Sequence, residues 1–229
     1  MAAPIAKVAG LLEQEYGLSV WMPRKGVSPL DILIGTILSQ NTSDRNSRSA
    51  FKNLRRRFPS WGRVLAARED EIERAIRSAG LSRIKARRIK GVLAEIKRRT
   101  GRLSLASIAG KKPAEARAWL MSLEGVGPKT AAVVLIFGFG MPVFPVDTHI
   151  LRVSKRLGWI PKGASLEKAH ELLDKEVPDR LKLSLHLNMI RHGRQVCTAR
   201  RPLCEMCLLN RICPSAFRFP HFRGIGHLR

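Results

Sequence analysis

Apolar positions recur every three to four residues along most of this chain, with polar positions between them, and no strand-like alternation is sustained. That period predicts helices over Pro29–Ser39, Arg45–Phe58, Asp70–Ser78, Lys85–Arg99, Pro113–Leu123, Lys129–Phe139, Thr148–Leu157, Ser165–Lys175 and Asp179–His192. Ser28-Pro29-Leu30-Asp31 offers a cap, a proline at the first helical position and an early acid, while Gly80, Gly101 and Gly158 stand where helices should stop. The fold class is therefore all-α. Past about residue 190 the periodicity gives way to cysteines, prolines and arginines, as in a small lobe organised by a metal.

Charge narrows the function. The 229 residues carry 42 Lys and Arg against 18 Asp and Glu, a net +24 that exceeds what solubility requires. A polyanionic partner follows, nucleic acid first and an anionic membrane surface second. The longest apolar stretch, Ala131 to Val146, is interrupted by Gly138, Gly140, Pro142 and Pro145, and falls short of the roughly 20 residues of a spanning helix. Met1 to Gly10 lacks the apolar core and cleavage site of a secretion signal, so an intracellular protein, cytoplasmic or nucleoid-associated and without a membrane partner, is expected. There its cysteines stay reduced.

All four cysteines, Cys197, Cys204, Cys207 and Cys213, fall in a C-x6-C-x2-C-x5-C run whose thiolates can converge on one metal centre. Zinc and an iron-sulfur cluster both suit four thiolates, and spacing alone does not choose between them. Arg191, Arg194, Arg200, Arg201 and Arg211 surround the run, where they would offset cluster charge or face DNA phosphate.

Two further segments carry chemistry. Leu123-Glu124-Gly125-Val126-Gly127-Pro128-Lys129-Thr130 joins two apolar helices through Gly125 and Gly127, which suits either a plain tight turn or an anion held by backbone N–H groups at a helix N-terminus. Val146-Asp147-Thr148-His149 follows a proline-rich turn, so Asp147 reads as an N-cap. His149 is a phosphate contact, a supporting contact or a solvated helix residue.

The cysteine spacing, following V-D-T-H and G-V-G-x-K, resembles the endonuclease III branch of the helix-hairpin-helix glycosylases, from about Leu30 to Cys213. The resemblance implies a monomer with a six-helix lobe (27–141) and a second lobe (1–26 plus 142–229), with double-stranded DNA containing damaged bases or abasic sites across the cleft. It places a structural [4Fe-4S] cluster on the four cysteines. Gly125 and Gly127 would let the hairpin grip one strand through its backbone. Lys129 becomes the amine that attacks the sugar C1′ and remains as a Schiff base, a role that requires burial or neighbouring positive charge to lower its pKa. Asp147 becomes the charge that stabilises the developing sugar cation. The implied reaction is removal of a damaged, oxidised pyrimidine followed by β-elimination 3′ to the abasic site.

A flipped nucleotide leaves a gap in the duplex. Leu81, in Gly80-Leu81-Ser82-Arg83-Ile84-Lys85-Ala86, matches the family's wedge position, although a leucine there also suits ordinary packing. Gln40 or Asn41 would fill the vacated base position; bacterial relatives carry glutamine where Asn41 stands. Arg45–Arg57, with six basic residues and no acid, and Arg83–Arg102, with nine against Glu95, suit a DNA-facing surface. Trp61, Trp119 and Trp159 read as core, and the tail from Phe217 to Arg229 as packing on the cluster lobe or touching DNA. Two rivals remain: a thymine or uracil mismatch glycosylase, against which Lys129 argues, and a non-catalytic, cluster-bearing DNA-binding or redox-sensing protein, which leaves Lys129 and Asp147 unexplained.

Overall fold

The computed structural model describes residues 1–23 and 25–222. Among these the chain is helical throughout, with eleven α-helices and no strand, as the 3.6-residue period requires. It forms two compact units, Met22–Met141 and Met1–Trp21 together with the chain from Pro142 onward. No described helix is long and apolar enough to cross a membrane.

The contiguous unit holds α2 (Pro29–Ser39), α3 (Asp44–Arg57), α4 (Trp61–Ala66), α5 (Glu69–Ala75), α6 (Ser82–Thr100), α7 (Pro113–Met121) and α8 (Pro128–Phe139). Its centre is α8, apolar on nearly every face, with Thr130, Ala131, Ala132, Val134, Leu135 and Ile136 buried. It packs on α2, whose Leu33, Ile34 and Ile37 are fully buried. The two helices touch closely where Gly138 meets Pro29: a Cβ at Gly138 would lie 3.1 Å from the proline ring. The Ser28 cap forms as expected, with its hydroxyl accepting from the Asp31 N–H and the Asp31 carboxylate accepting from the Ser28 N–H.

The split unit holds α1 (Ile5–Tyr16), α9 (Thr148–Leu157), α10 (Leu166–Glu176) and α11 (Lys182–Gln195) around a core that includes Leu12, Phe144, Val146, Ile150, Leu173 and Met189. The cysteine-bearing loop packs on this core through the buried Leu209 and the partly buried Cys197, Cys207 and Cys213. Trp159 joins it and donates its indole N–H to the Ala3 carbonyl at 2.6 Å.

Two helices escaped the periodicity. In α1 the buried set is only Val8, Ala9 and Leu12, too few positions to establish a period, and the helix is held by packing against α11. At six residues α4 is too short to show one; it is fixed by Ser60, whose hydroxyl accepts from the Arg63 N–H, and by the burial of Trp61. The helix expected to run to Ser78 ends at Ala75 and passes into a 3-10 turn, Arg77–Ala79. The helix expected from Asp179 starts as a 3-10 turn and becomes α-helical at Lys182.

Candidate active site

In the hairpin between α7 and α8, Gly125 adopts φ 74°, and a Cβ there would collide with the Arg88 side chain lying across it. The backbone calls for glycine, whereas the neighbour is the outer part of a flexible side chain that can shift. Gly127 is different: its backbone is extended and a Cβ would meet nothing within 4 Å. It stands at the N-cap of α8 with no side-chain cap, followed by Pro128, so the first N–H groups of α8 are not closed off by a cap. An uncapped helix N-terminus with exposed backbone donors suits a phosphate. Lys129 lies in the first turn of α8 and is exposed, so burial, one of the two conditions named for its role, is not met by the protein alone.

The sequence left Gln40 and Asn41 as equals, and the structure separates them. Gln40 is a strut: its Nε2 donates to the Gly125 carbonyl and to the Thr130 hydroxyl, each at 3.3 Å, and its Oε1 accepts from Arg88 Nη1 at 2.7 Å. Asn41 is exposed and left-handed, φ 51°. Leu81 is likewise left-handed, φ 48°, and 54% exposed, so it is not the packing residue that a helix-terminating leucine suggests. It starts α6 rather than ending a helix. A leucine in this conformation is strained by roughly 1–2 kcal/mol and persists only if its surroundings hold it there.

Not all of the basic residues face outward. Lys85 is 1% exposed, and its ammonium donates to the carbonyls of Leu38 and Ala79 at 2.9 and 2.8 Å. Burial, and after it the charge on Arg88, pushes its pKa below the ordinary lysine value. Lys90 donates to the Ala67 carbonyl, Arg98 and Arg99 both pair with Glu95, and Arg55 lies over the Trp61 ring. Lys85 and Lys90 thus tie α6 to neighbouring segments, while Arg98 remains largely exposed beside Glu95. For Lys85 and Lys90 the run of charges did not reveal it, because the carbonyls of Leu38 and Ala67, distant in sequence, supply the partners.

In the other unit Asp147 is the N-cap of α9, its Oδ1 accepting from the Ile150 N–H at 2.8 Å. The segment leading to it is clamped. Asp174 accepts from the Phe144 N–H at 2.7 Å, Lys182 donates to the Pro142 carbonyl at 2.8 Å while paired with Asp174 and Asp179, and the His186 ring meets the Pro145 carbonyl at 2.9 Å. The sequence reading missed these supporting residues; their signal, polar groups on the apolar faces of two helices, is weak without the partner segment. His149 is half-buried, with Nδ1 3.2 Å from Arg152 Nη2. Arginine only donates, so the ring nitrogen accepts. Burial lowers the pKa of His149, which suits this neutral form. Arg152 also donates to the carbonyls of Gly193 and Cys197. A Cβ at Gly193 would lie 2.9 Å from that of His149, so α9 and α11 are in close contact here.

The four cysteines line one cavity with about 380 Å³ of atom-free space, part of it open to solvent. Among the described residues no three Cys, His, Asp or Glu side chains close on a single-ion site. Two contacts to sulfur come from outside the cysteine run, from Arg156 on α9 and from the His192 ring on α11, whose Nε2 lies 3.7 Å from Cys207 Sγ. Arg156 Nη1 lies 3.1 Å from Cys197 Sγ and donates to the Thr198 carbonyl, and its guanidinium sits 4.5 Å from the Phe219 ring, which also lines the cavity. Arg191 instead donates to the Tyr16 carbonyl. The described part of the tail, to Phe222, thus packs on the cluster lobe, while Arg223 to Arg229 lie outside the described residues. Burial raises the Cys207 thiol to about 11 and also raises Cys213, so binding iron must displace protons. Protein purified anaerobically is expected to be yellow-brown and to contain iron; one zinc and no iron would refute the cluster assignment.

Residues 34–179 match the HhH-GPD superfamily of base excision DNA repair proteins, and residues 197–213 match the iron-sulfur binding domain of endonuclease III. The chain is 35% identical over 205 residues to endonuclease III of Thermotoga maritima, covering 90% of each. It is 40% identical over 189 residues to a putative DNA glycosylase of Arabidopsis thaliana, covering 82% of this chain but only 62% of the plant protein. A solved trapped endonuclease III–DNA covalent intermediate superposes with a TM-score of 0.77 at 32% identity, covering 93% of this chain and 96% of the other.

Proposed function

We propose, because the chain belongs to the endonuclease III family of base excision repair DNA glycosylases and carries that family's [4Fe-4S] site, that it is bifunctional. It removes damaged, oxidised pyrimidines from double-stranded DNA and then cleaves the strand 3′ to the abasic site. The observation that carries this reading is Lys129, an exposed amine in the first turn of a helix whose uncapped N-terminus suits a phosphate. The amine attacks C1′, and the N–C1′ bond forms as the glycosidic bond breaks and the base leaves with its electron pair. The ring-opened adduct is a Schiff base; loss of a C2′ proton then expels the 3′ phosphate. Asp147 supplies the negative charge that a developing sugar cation needs. Lys129 becomes desolvated only once DNA covers it. The cluster contributes structure and charge, and takes no part in bond breaking.

Two loops open the duplex in this reading. Leu81, exposed and left-handed, is the wedge. Asn41 fills the vacated base position, since both ends of the Gln40 amide are occupied by Arg88, Gly125 and Thr130.

Borohydride reduction in the presence of an abasic duplex tests the proposal: a covalent protein–DNA species is expected, and its absence would remove the lyase assignment. Affinity for undamaged duplex is expected to fall steeply with salt, by counterion release. Because several of the fifteen basic side chains in the two charged stretches are committed to internal partners, the log-log slope should be several units and not fifteen. A flat dependence would mean the net charge serves solvation alone.

A further inference from the structure

Lys85 is a buried cation with no part in the chemistry above, and its place in the fold is unusual. Its two acceptors are the last buried carbonyls before two exposed turns. Leu38, fully buried, lies two residues before Gln40 and three before Asn41; Ala79, also fully buried, lies two before Leu81. Lys85 also donates its own backbone N–H to the Leu81 carbonyl at 3.0 Å. One residue therefore grips the wedge turn from both sides and ties it to the end of α2, 47 positions away in sequence. Both turns hold a non-glycine residue in the left-handed region, a conformation that asparagine adopts readily but that Leu81 keeps only with external support.

We propose that Lys85 is a positioning residue that couples the two strand-opening loops, by holding the Leu38 and Ala79 carbonyls on one ammonium so that Leu81 and Asn41 meet DNA as a single preorganised pair. This rests on the strand-opening reading of those loops. Its physical basis is that binding energy is spent less on ordering when the inserting groups are already placed, and that small misplacements of such groups are costly in rate.

The test replaces Lys85 with methionine, which keeps the stem and removes the donors. A fluorescent aminopurine base beside the lesion reports unstacking, and single-turnover excision at saturating protein reports the rate. Lys85→Met is expected to lose most of the fluorescence rise and to slow excision from duplex by about tenfold or more. Borohydride trapping on single-stranded abasic DNA, where nothing need be unstacked, should stay near the parent level. Leu81→Ala is expected to cost much less in the Lys85→Met background than in the parent, since coupled residues are non-additive. Full fluorescence and rate in Lys85→Met, or strictly additive losses with Leu81→Ala, would overturn the proposal. If Lys85→Met loses its helical signal, Lys85→Gln, which keeps an amide donor on a shorter stem, decides by the same readouts. Failure of the parent to excise any damaged base from duplex would instead remove the functional reading on which the proposal rests, whereas failure to trap abasic DNA removes only the lyase assignment.

Discussion

Lys129→Ala is expected to abolish both borohydride trapping and strand cleavage while leaving binding to the same duplex in place. The reason is chemical: without the amine no Schiff base forms, and β-elimination loses its intermediate. The structure makes the variant clean. Lys129 is exposed in the first turn of α8, so truncation opens no cavity, and alanine suits a helix. Stability should move within about 0.5 kcal/mol, as for ordinary surface substitutions. A thermal melt, a binding isotherm and a denaturing gel of the reduced complex check all three points. If Lys129→Ala trapped as well as the parent, another amine would be the nucleophile.

Asp147→Asn is expected to slow base removal by about a hundredfold or more, the usual scale for losing one preorganised electrostatic group. Asp147 is also the N-cap of α9, through Oδ1. Asparagine caps about as well as aspartate, so this variant separates charge from fold, whereas Asp147→Ala adds a cap loss of about 0.5–2 kcal/mol. Single-turnover excision measured beside a melting curve distinguishes the two. Parent-like excision by Asp147→Asn would reduce the carboxylate to a cap. Binding to damaged DNA should persist and can tighten, because one repulsion against phosphate is gone.

Nine of the eleven α-helices among the described residues are visible in the period of apolar residues, because each must bury a stripe wide enough to repeat. The cysteine run and the cap at Asp147 are legible for a similar reason: each depends on residue type at fixed local spacing. What the sequence could not show is which charged groups turn inward. Nothing near Lys85 in the chain separates it from the arginines around it, yet it is buried on two carbonyls, one of them 47 residues away. Arg156 reaches Cys197 across 41 residues, and Gln40 reaches Gly125 across 85. Gly125 and Gly127 look equivalent in the motif, but only Gly125 lies under a side chain from another helix. Periodicity and motif spacing are properties of neighbouring residues; the partner of a buried polar group is set by which helices pack together, and a buried charge survives only where that packing supplies an acceptor.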